Sequence, residues 1–447
     1  MTLKNRVSLF LLLGTGMLLS VVAPAAKSQQ THYFVKDLGT LGGSQGVAEG
    51  ISDRGWVVGS ANLAGDQSGH AFLWRNGQMT DLKTLGGLNS QVQWPVKDNP
   101  GLIVGDAETS TIDPSNEDFC GFDADSGVPP TGLICVGFLW QNGVMTALRT
   151  LGGNNARATG VNDLGQVVGM AEKSTQGQSC SPPQVLDIEA VIWGPKAHEI
   201  HELPPLRGDV MSWATGINDR GQVIGLSGNC VSPNFNLTGV VPQHGVIWEN
   251  GIVTSLGSLG GTLGTFPWAI NSMGQVVGQS YLAGDLTFLA FLWQRGVMSS
   301  LGALPGDVIS GAFGLNDQGA VVGGSCDVNI NCRAFLWENG VMTDLNGLVT
   351  PGSTPLYLVS GNDINSQGEI AAYAFDQNNG GFHAALAIPC DEQHAGVAGC
   401  DNQVGLASAI LNMNTDRSRV VLPEIVRDQL LKRKAFGSLP GGLLAPK

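Results

Sequence analysis

The sequence predicts an all-β chain: a seven-bladed β-propeller of four-stranded antiparallel blades, followed by a short helical tail. Three observations predict it. A unit of four strand-like runs recurs seven times, with turn glycines at Gly55, Gly101, Gly165, Gly221, Gly274, Gly319 and Gly368, about 45–64 residues apart. Four short strands at a period near 50 residues are the pattern of a propeller blade. The seventh unit lacks its fourth strand, and a matching strand stands alone at the other end of the chain.

The unit is clearest over residues 217–248. Its first strand is a small, Ala/Gly-rich run ending in Asn, as at 158–162, 214–218 and 269–271. An Asn-Asp-x-Gly turn follows, in which the Asn and Asp side chains bond their own backbone and Gly takes positive φ. The second strand reads Gln166-Val167-Val168-Gly169 and its relatives. After a variable loop comes the third, Ala71-Phe72-Leu73-Trp74. Its closing tryptophan recurs as Trp140, Trp193, Trp248, Trp293 and Trp337, with Ala387 in the seventh slot. An Asn-Gly hairpin turn such as Asn76-Gly77 leads to the fourth strand, Met79-Thr80-Asp81-Leu82. A Leu-Gly-Gly loop then opens the next unit. The second unit is degenerate in its first turn, around 97–101.

The last unit supplies strands at 361–365, 369–373 and 383–388 and stops at Pro389-Cys390. The missing fourth strand is Tyr33-Phe34-Val35-Lys36-Asp37-Leu38, which runs into Leu41-Gly42-Gly43. The N-terminal strand is therefore expected to complete the last blade and close the ring over 33–389, about 51 residues per blade. A closed ring leaves no unpaired inner edge. An open solenoid of seven units would not need the split.

Glycine is 64 of 447 residues and charged residues are 13 %, while 43 % of the chain is apolar. Many glycines with few charges suit tight turns between buried strands, and the apolar share excludes general disorder. A net charge of −14 argues against a nucleic-acid partner. Residues 1–25 read as a signal peptide: Lys4 and Arg6, an apolar run over 7–22, and Ala23-Pro24-Ala25 as a small-x-small cleavage site. No later stretch is long and apolar enough to span a bilayer. The chain is expected to be secreted, extracellular or periplasmic, or at the cell surface.

Eight cysteines in an exported chain imply disulfides. Proximity suggests Cys120–Cys135, Cys326–Cys332 and Cys390–Cys400, leaving Cys180 and Cys230 at matching points of consecutive repeats. After Cys400 the repeat is lost. Residues 420–434 read as a short helix with Pro423 at its start and Ile425, Val426, Leu430 and Leu431 as its apolar stripe. The basic tail over 390–447 is either poorly ordered or carries a docking helix.

Chemistry is sparse. His70, His244 and His383 share one repeat slot and are expected as strand-edge hydrogen-bonders. Asp53, Asp163, Asp219 and Asp317 sit in the repeated turn, where a structural use suffices. No Gly-x-Ser-x-Gly, His-Glu-x-x-His or Walker-type sequence occurs. Asp123 and Asp125, and Asp327, Asn329 and Asn331, have the flavour of calcium loops but lack a late bidentate Glu; no other cofactor is implied. The better lead is geometric. The loops joining strands two to three and four to one share one end of every blade and hold all the variable insertions, including 106–134, 172–187 and 228–243. Variation at one end of a rigid scaffold suits a binding surface. Trp94, Arg157, Trp213, Trp268 and Phe313, near the starts of first strands, are the candidate ligand-binding residues, since aromatics on a polar rim stack on sugars or anchor peptides; packing between blades is the structural alternative.

The repeated motif His70-Ala71-Phe72-Leu73-Trp74, followed by Asn76-Gly77-Gln78-Met79-Thr80-Asp81-Leu82 and Leu85-Gly86-Gly87, resembles the HAF-repeat family of bacterial extracellular repeat proteins. The Asn-Asp-x-Gly-Gln-Val-Val-Gly element at 162–169 belongs to the same pattern. The resemblance spans roughly residues 33–389. The chain departs from it where Val136, Glu189, Leu289 and Arg333 replace His70, in its cysteine-bearing insertions, and in its tail. The resemblance implies location and architecture, and no reaction. The expected function is a secreted or cell-envelope binding module for a glycan or protein on the variable-loop face. An extracellular polysaccharide hydrolase or lyase, with two carboxylates facing across the channel, and a structural surface protein without a specific ligand are the alternatives.

Overall fold

The computed structural model describes residues 31–92, 101–117, 119–122, 128–176, 184–194, 199–229, 243–350, 354–397, 400 and 420–432. The 1–25 targeting segment, Trp94, Asp123, Asp125, Cys180 and Cys230 lie outside them.

Among the described residues the body is all-β, with a 3-10 turn at Leu345–Leu348 and one tail helix, α1, at Glu424–Lys432. Its strands run as antiparallel meanders of four. Gly42–Ile51, Val57–Leu63, Gly69–Arg75 and Gln78–Asp81 make one such sheet, and four other sheets have the same form. A sixth sheet is eight-stranded: two meanders, over 211–255 and 260–302, joined by a single parallel bridge between Gln243 and Gly264. The strand Tyr33–Gly39 pairs antiparallel with Phe382–Pro389, so the N-terminal strand does complete the last meander.

The register repeats. The first residue of the second strand faces the tryptophan slot in each meander: Val57 with Trp74, Ile103 with Trp140, Val167 with Trp193, Val223 with Trp248, Val276 with Trp293, Val321 with Trp337 and Ile370 with Ala387. The Val-Val-Gly glycine has a steric cause. A Cβ on Gly169 would sit 1.9 Å from the Arg157 carbonyl oxygen, and one on Gly225 2.0 Å from that of Trp213. The first strand bulges immediately beyond these carbonyls, between Ala158 and Gly160 and between Ala214 and Gly216. Such a bulge increases local twist and brings backbone close to its neighbour.

The repeated turn asparagine joins one meander to the next. Asn218 Oδ1 accepts the Arg220 and Gln222 N–H groups, both at 3.1 Å, which forms its own turn. Its Nδ2 donates to Gln222 Oε1 at 2.8 Å and to the Asn271 carbonyl of the next unit at 3.0 Å. The same reach runs from Asn162 to Asn218, Asn271 to Asn316, Asn316 to Asn365, and Asn365 to the Ser52 carbonyl near the chain start. A second relay lies beside it, in which Thr159 donates to Ala214 O and Thr215 to Pro267 O, both at 2.8 Å.

Two predictions follow from this bonding. Asn218→Ala removes four hydrogen bonds, one buried and three part-buried, and is expected to lower stability by roughly 2–4 kcal/mol in urea titration, whereas Asp219→Ala, on the exposed rim of the same turn, costs under about 1 kcal/mol. Equal losses would show that the turn is stabilised locally rather than through its neighbour. The second concerns His383, whose Nδ1 lies 2.8 Å from Asp37 Oδ2 and links the N-terminal strand to its partner. The Asp37 bond raises the His383 pKa. Burial acts to raise Asp37, but its bonds to His383 and the Gly39 N–H outweigh that and hold it below the ordinary range. The pair therefore stabilises fully below the unfolded His pKa and loses its effect as pH rises through the raised one. His383→Gln should lower the melting temperature at pH 5–6, with a gap worth under about 1 kcal/mol at this half-exposed site that narrows by pH 8.

Candidate functional site

Antiparallel meanders place their first and third turns at one end and their second and fourth connections at the other. At the tight-turn end, Asp53, Asp163, Asp219, Asp317, Ser272 and Ser366 line a cavity of about 100 Å³. Three of these carboxylates have a structural use: Asp219 accepts the Asp163 N–H at 2.9 Å, Asp317 the Ser272 N–H at 3.0 Å and Asp53 the Ser366 N–H at 2.9 Å.

The variable end holds the predicted mouth, and it is filled. Arg157, Trp213, Trp268 and Phe313 are only 0 %, 1 %, 3 % and 7 % exposed. Trp213, Trp268 and Phe313 belong to one buried cluster with Phe266, Tyr281 and Tyr357. Phe119, Phe122 and Val128 from the 113–132 insertion enter the same cluster, as do Leu422, Val426 and Leu430 from the tail. The four residues are not in equivalent positions. Counted from the turn asparagine, Arg157 and Trp213 correspond to Phe266 and Gly311, while Trp268 and Phe313 occupy the bulge positions of Thr159 and Thr215. Side chains from both positions gather in the one cluster.

Arg157 acts as a tie. Its Nε donates to Asp106 Oδ2 at 3.0 Å and its Nη2 to the Cys120 carbonyl at 3.0 Å, with Gln91 Nε2 on that same carbonyl at 2.9 Å. A fully buried guanidinium needs acceptors of this kind. It fastens the insertion beside the Cys120–Cys135 disulfide.

Sequence reasoning missed a buried carboxylate group at the root of this insertion. Asp113, Glu117 and Glu172 converge on Asn155, all buried. Asn155 Nδ2 lies 2.9 Å from Asp113 Oδ2, 3.2 Å from Glu172 Oε2 and 3.3 Å from Glu117 Oε2. Glu117 Oε1 accepts the Val185 N–H at 2.8 Å, and Glu172 takes the Asn154 and Asn155 N–H groups and Gln184 Nε2. One amide has two protons for these three carboxyl oxygens. Burial first, then the hydrogen bond and charge of Glu172, push Glu117 up to about 9. The repeated Ala107-Glu108 and Ala171-Glu172 were the available signal. Glu108 serves its own unit alike, accepting the Leu88 and Asn89 N–H groups.

The tail and the Cys326–Cys332 loop meet at this end. Asp327 Oδ1 accepts the Asn329 and Asn331 N–H groups at 2.8 and 2.9 Å, closing a turn within the disulfide. Asn331 Oδ1 accepts the Leu422 N–H at 2.9 Å, and the Asn329 carbonyl accepts Arg427 Nη1 at 3.2 Å. Asn331 and the Asn329 carbonyl thus anchor the tail, and Asp327 shapes the turn that presents them. Among the described residues no group of three His, Cys, Asp or Glu could hold a metal ion. The apolar stripe of α1 also differs from expectation: Leu422, Val426 and Leu430 face in, and Ile425 is 70 % exposed. The Cys390–Cys400 disulfide is present as paired from proximity.

His70, His244 and His383 make edge contacts, with Asp81, Asp209 and Asp37 at 2.8–2.9 Å. Arg333, in the same slot, bonds Asp307 and Asp344. In these four units the slot pairs a His or Arg with a carboxylate from a neighbouring strand or loop, while Val136, Glu189 and Leu289 fill it in the others.

No protein-family model matches the chain, and no curated protein matches it in sequence. Solved structures similar to it include the acylaminoacyl peptidase of Pyrococcus horikoshii, at 10% identity and a TM-score of 0.43 over 76% of this chain and 52% of that one. A prolyl endopeptidase shows 10% identity and a TM-score of 0.42 over 70% and 42%, and the Trypanosoma rangeli sialidase 9% and 0.33 over 77% and 54%. This chain spans about half the length of each.

The raised Glu117 pKa has a pH consequence. Between the ordinary glutamate range and about 9 the folded chain holds a proton that the unfolded chain releases, so this contribution is full in acid and lost as pH rises. The melting temperature is expected to fall from pH 5 to pH 9, and Glu117→Gln, a neutral mimic that still donates to Glu172, should flatten that fall. Parallel curves for the two proteins would place the proton elsewhere.

Proposed function

We propose that this chain is an exported binding module on a closed seven-bladed β-propeller, similar to the HAF-repeat family, that takes a glycan or a protein on its variable-loop face. The asparagine relay supports the closed ring, because it runs from unit to unit and returns from Asn365 to Ser52. The seven equivalent strand registers support the blade count, with the eight-stranded sheet read as two blades touching at one bridge. Three disulfides suit an oxidising compartment. No helix among the described residues is long and apolar enough to cross a membrane.

The observation that carries the reading is the asymmetry between the two ends. One end repeats the same short turn and spends its side chains on joining units. The other gathers the insertions, the disulfides Cys120–Cys135 and Cys326–Cys332, and the tail around a buried aromatic cluster. The hydrolase alternative needs two facing carboxylates that a polymer can reach. Glu117 has the raised titration such chemistry uses, but it and the neighbouring Glu172 are both buried.

The test is a thermal-shift screen of the mature full-length chain against soluble polysaccharides and oligosaccharides, each with calcium or with chelator. A ligand at 100 times its dissociation constant adds roughly 2.7 kcal/mol. The expected result is a dose-dependent shift lost on Leu286→Arg, exposed at the variable end, and kept on Leu164→Arg, exposed at the tight-turn end. The reverse dependence would move the site to the acidic cavity, and release of shorter sugars would favour the enzyme.

A further inference from the structure

The tail shows what the variable-end mouth accepts. Leu422, Val426 and Leu430 are spaced four apart, lie on one side of the segment and are buried with Trp213, Trp268 and Phe313 in one cluster. The opposite side of the same segment leaves Val421 76 % and Ile425 70 % exposed. Polar attachment is slight. The Leu422 N–H bonds Asn331, Arg427 bonds the Asn329 carbonyl, and the Arg427 Nε is buried without an acceptor. A helix of nine residues has little stability by itself, so its order comes from the seat it occupies.

We propose that the mouth is a groove for one face of an amphipathic helix, held shut in cis by residues 420–432. The partner that opens it is a protein helix with apolar side chains at i, i+4 and i+8, matching Leu422, Val426 and Leu430. This rests on the variable-face reading and narrows its ligand from a glycan or protein to a helical segment of a protein. Nineteen residues separate Cys400 from Val420, so the tail competes as a tethered ligand whose local concentration a free partner has to exceed. Weakening the tail's own contacts should therefore expose the groove to the same segment added in trans.

The experiment titrates a fluorescein-labelled peptide of residues 420–432 onto the full chain and onto the full chain carrying Val426→Asp and Leu430→Asp. Saturable anisotropy binding at least tenfold tighter to the variant, and lost when the peptide carries the same two substitutions, is the expected result. A variant that keeps its circular dichroism and melting transition but binds no peptide overturns the groove. Should the variant fail to fold, a protease site placed within 401–419 allows the folded wild-type chain to be cut. The groove then requires the cut tail to leave on dilution and the labelled peptide to replace it; a cut tail that never exchanges overturns it. A sugar shift that still maps to Leu286 while the peptide fails would overturn the groove and leave the broader binding reading standing.

Discussion

The structure depends on one hydrogen-bonding device, the turn asparagine. Its oxygen forms the turn in which it sits, and its nitrogen reaches the carbonyl of the next unit's equivalent asparagine. A buried amide with all its hydrogen-bonding capacity used is costly to disturb, and it does two jobs that would otherwise need separate residues. Because local turn formation and contact between neighbours share one side chain, a unit with a misformed turn also loses its neighbour. The relay accepts a substitute only where geometry allows. Ser52 keeps the turn bonds in the first unit, accepting the Arg54 and Trp56 N–H groups, and still offers its carbonyl to Asn365.

This device occupies one end of the meanders and leaves the other free to vary. Where strands two and three are joined, the chain carries insertions that no repeat constrains. They are tied by different means: a buried guanidinium for the 113–132 insertion, a buried amide among three carboxyl groups at its root, and a disulfide-closed turn for 326–332. Each solution is local and unrepeated.

Much of the architecture was legible. Period, turn residues and the orphan N-terminal strand led to meanders in register, and the proximity of cysteines led to three of the pairings. The site was less legible. Trp213 and Trp268 look like partners in the sequence, yet they lie two positions apart in their units, Trp268 at the first-strand bulge and Trp213 ahead of it. Ile425 reads as part of the tail's apolar stripe, but the seat selects Leu422, which lies ahead of the helix and is positioned by Asn331. Asp327, Asn329 and Asn331 have the flavour of a calcium loop in the sequence, and in the structure they bond the N–H groups of their own turn and of Leu422.

The sequence by itself determined the repeat, the strand order, the turn chemistry and the glycines. Those depend on φ, on steric clearance and on bonds within a few residues, and such constraints are written locally. Only the tertiary structure decided what fills the mouth, which carboxyl group stays protonated and which face of the tail is buried. Those outcomes depend on residues far apart in the chain, such as Arg157 with Cys120 and Leu422 with Asn331, and on burial that changes what a side chain can afford to be.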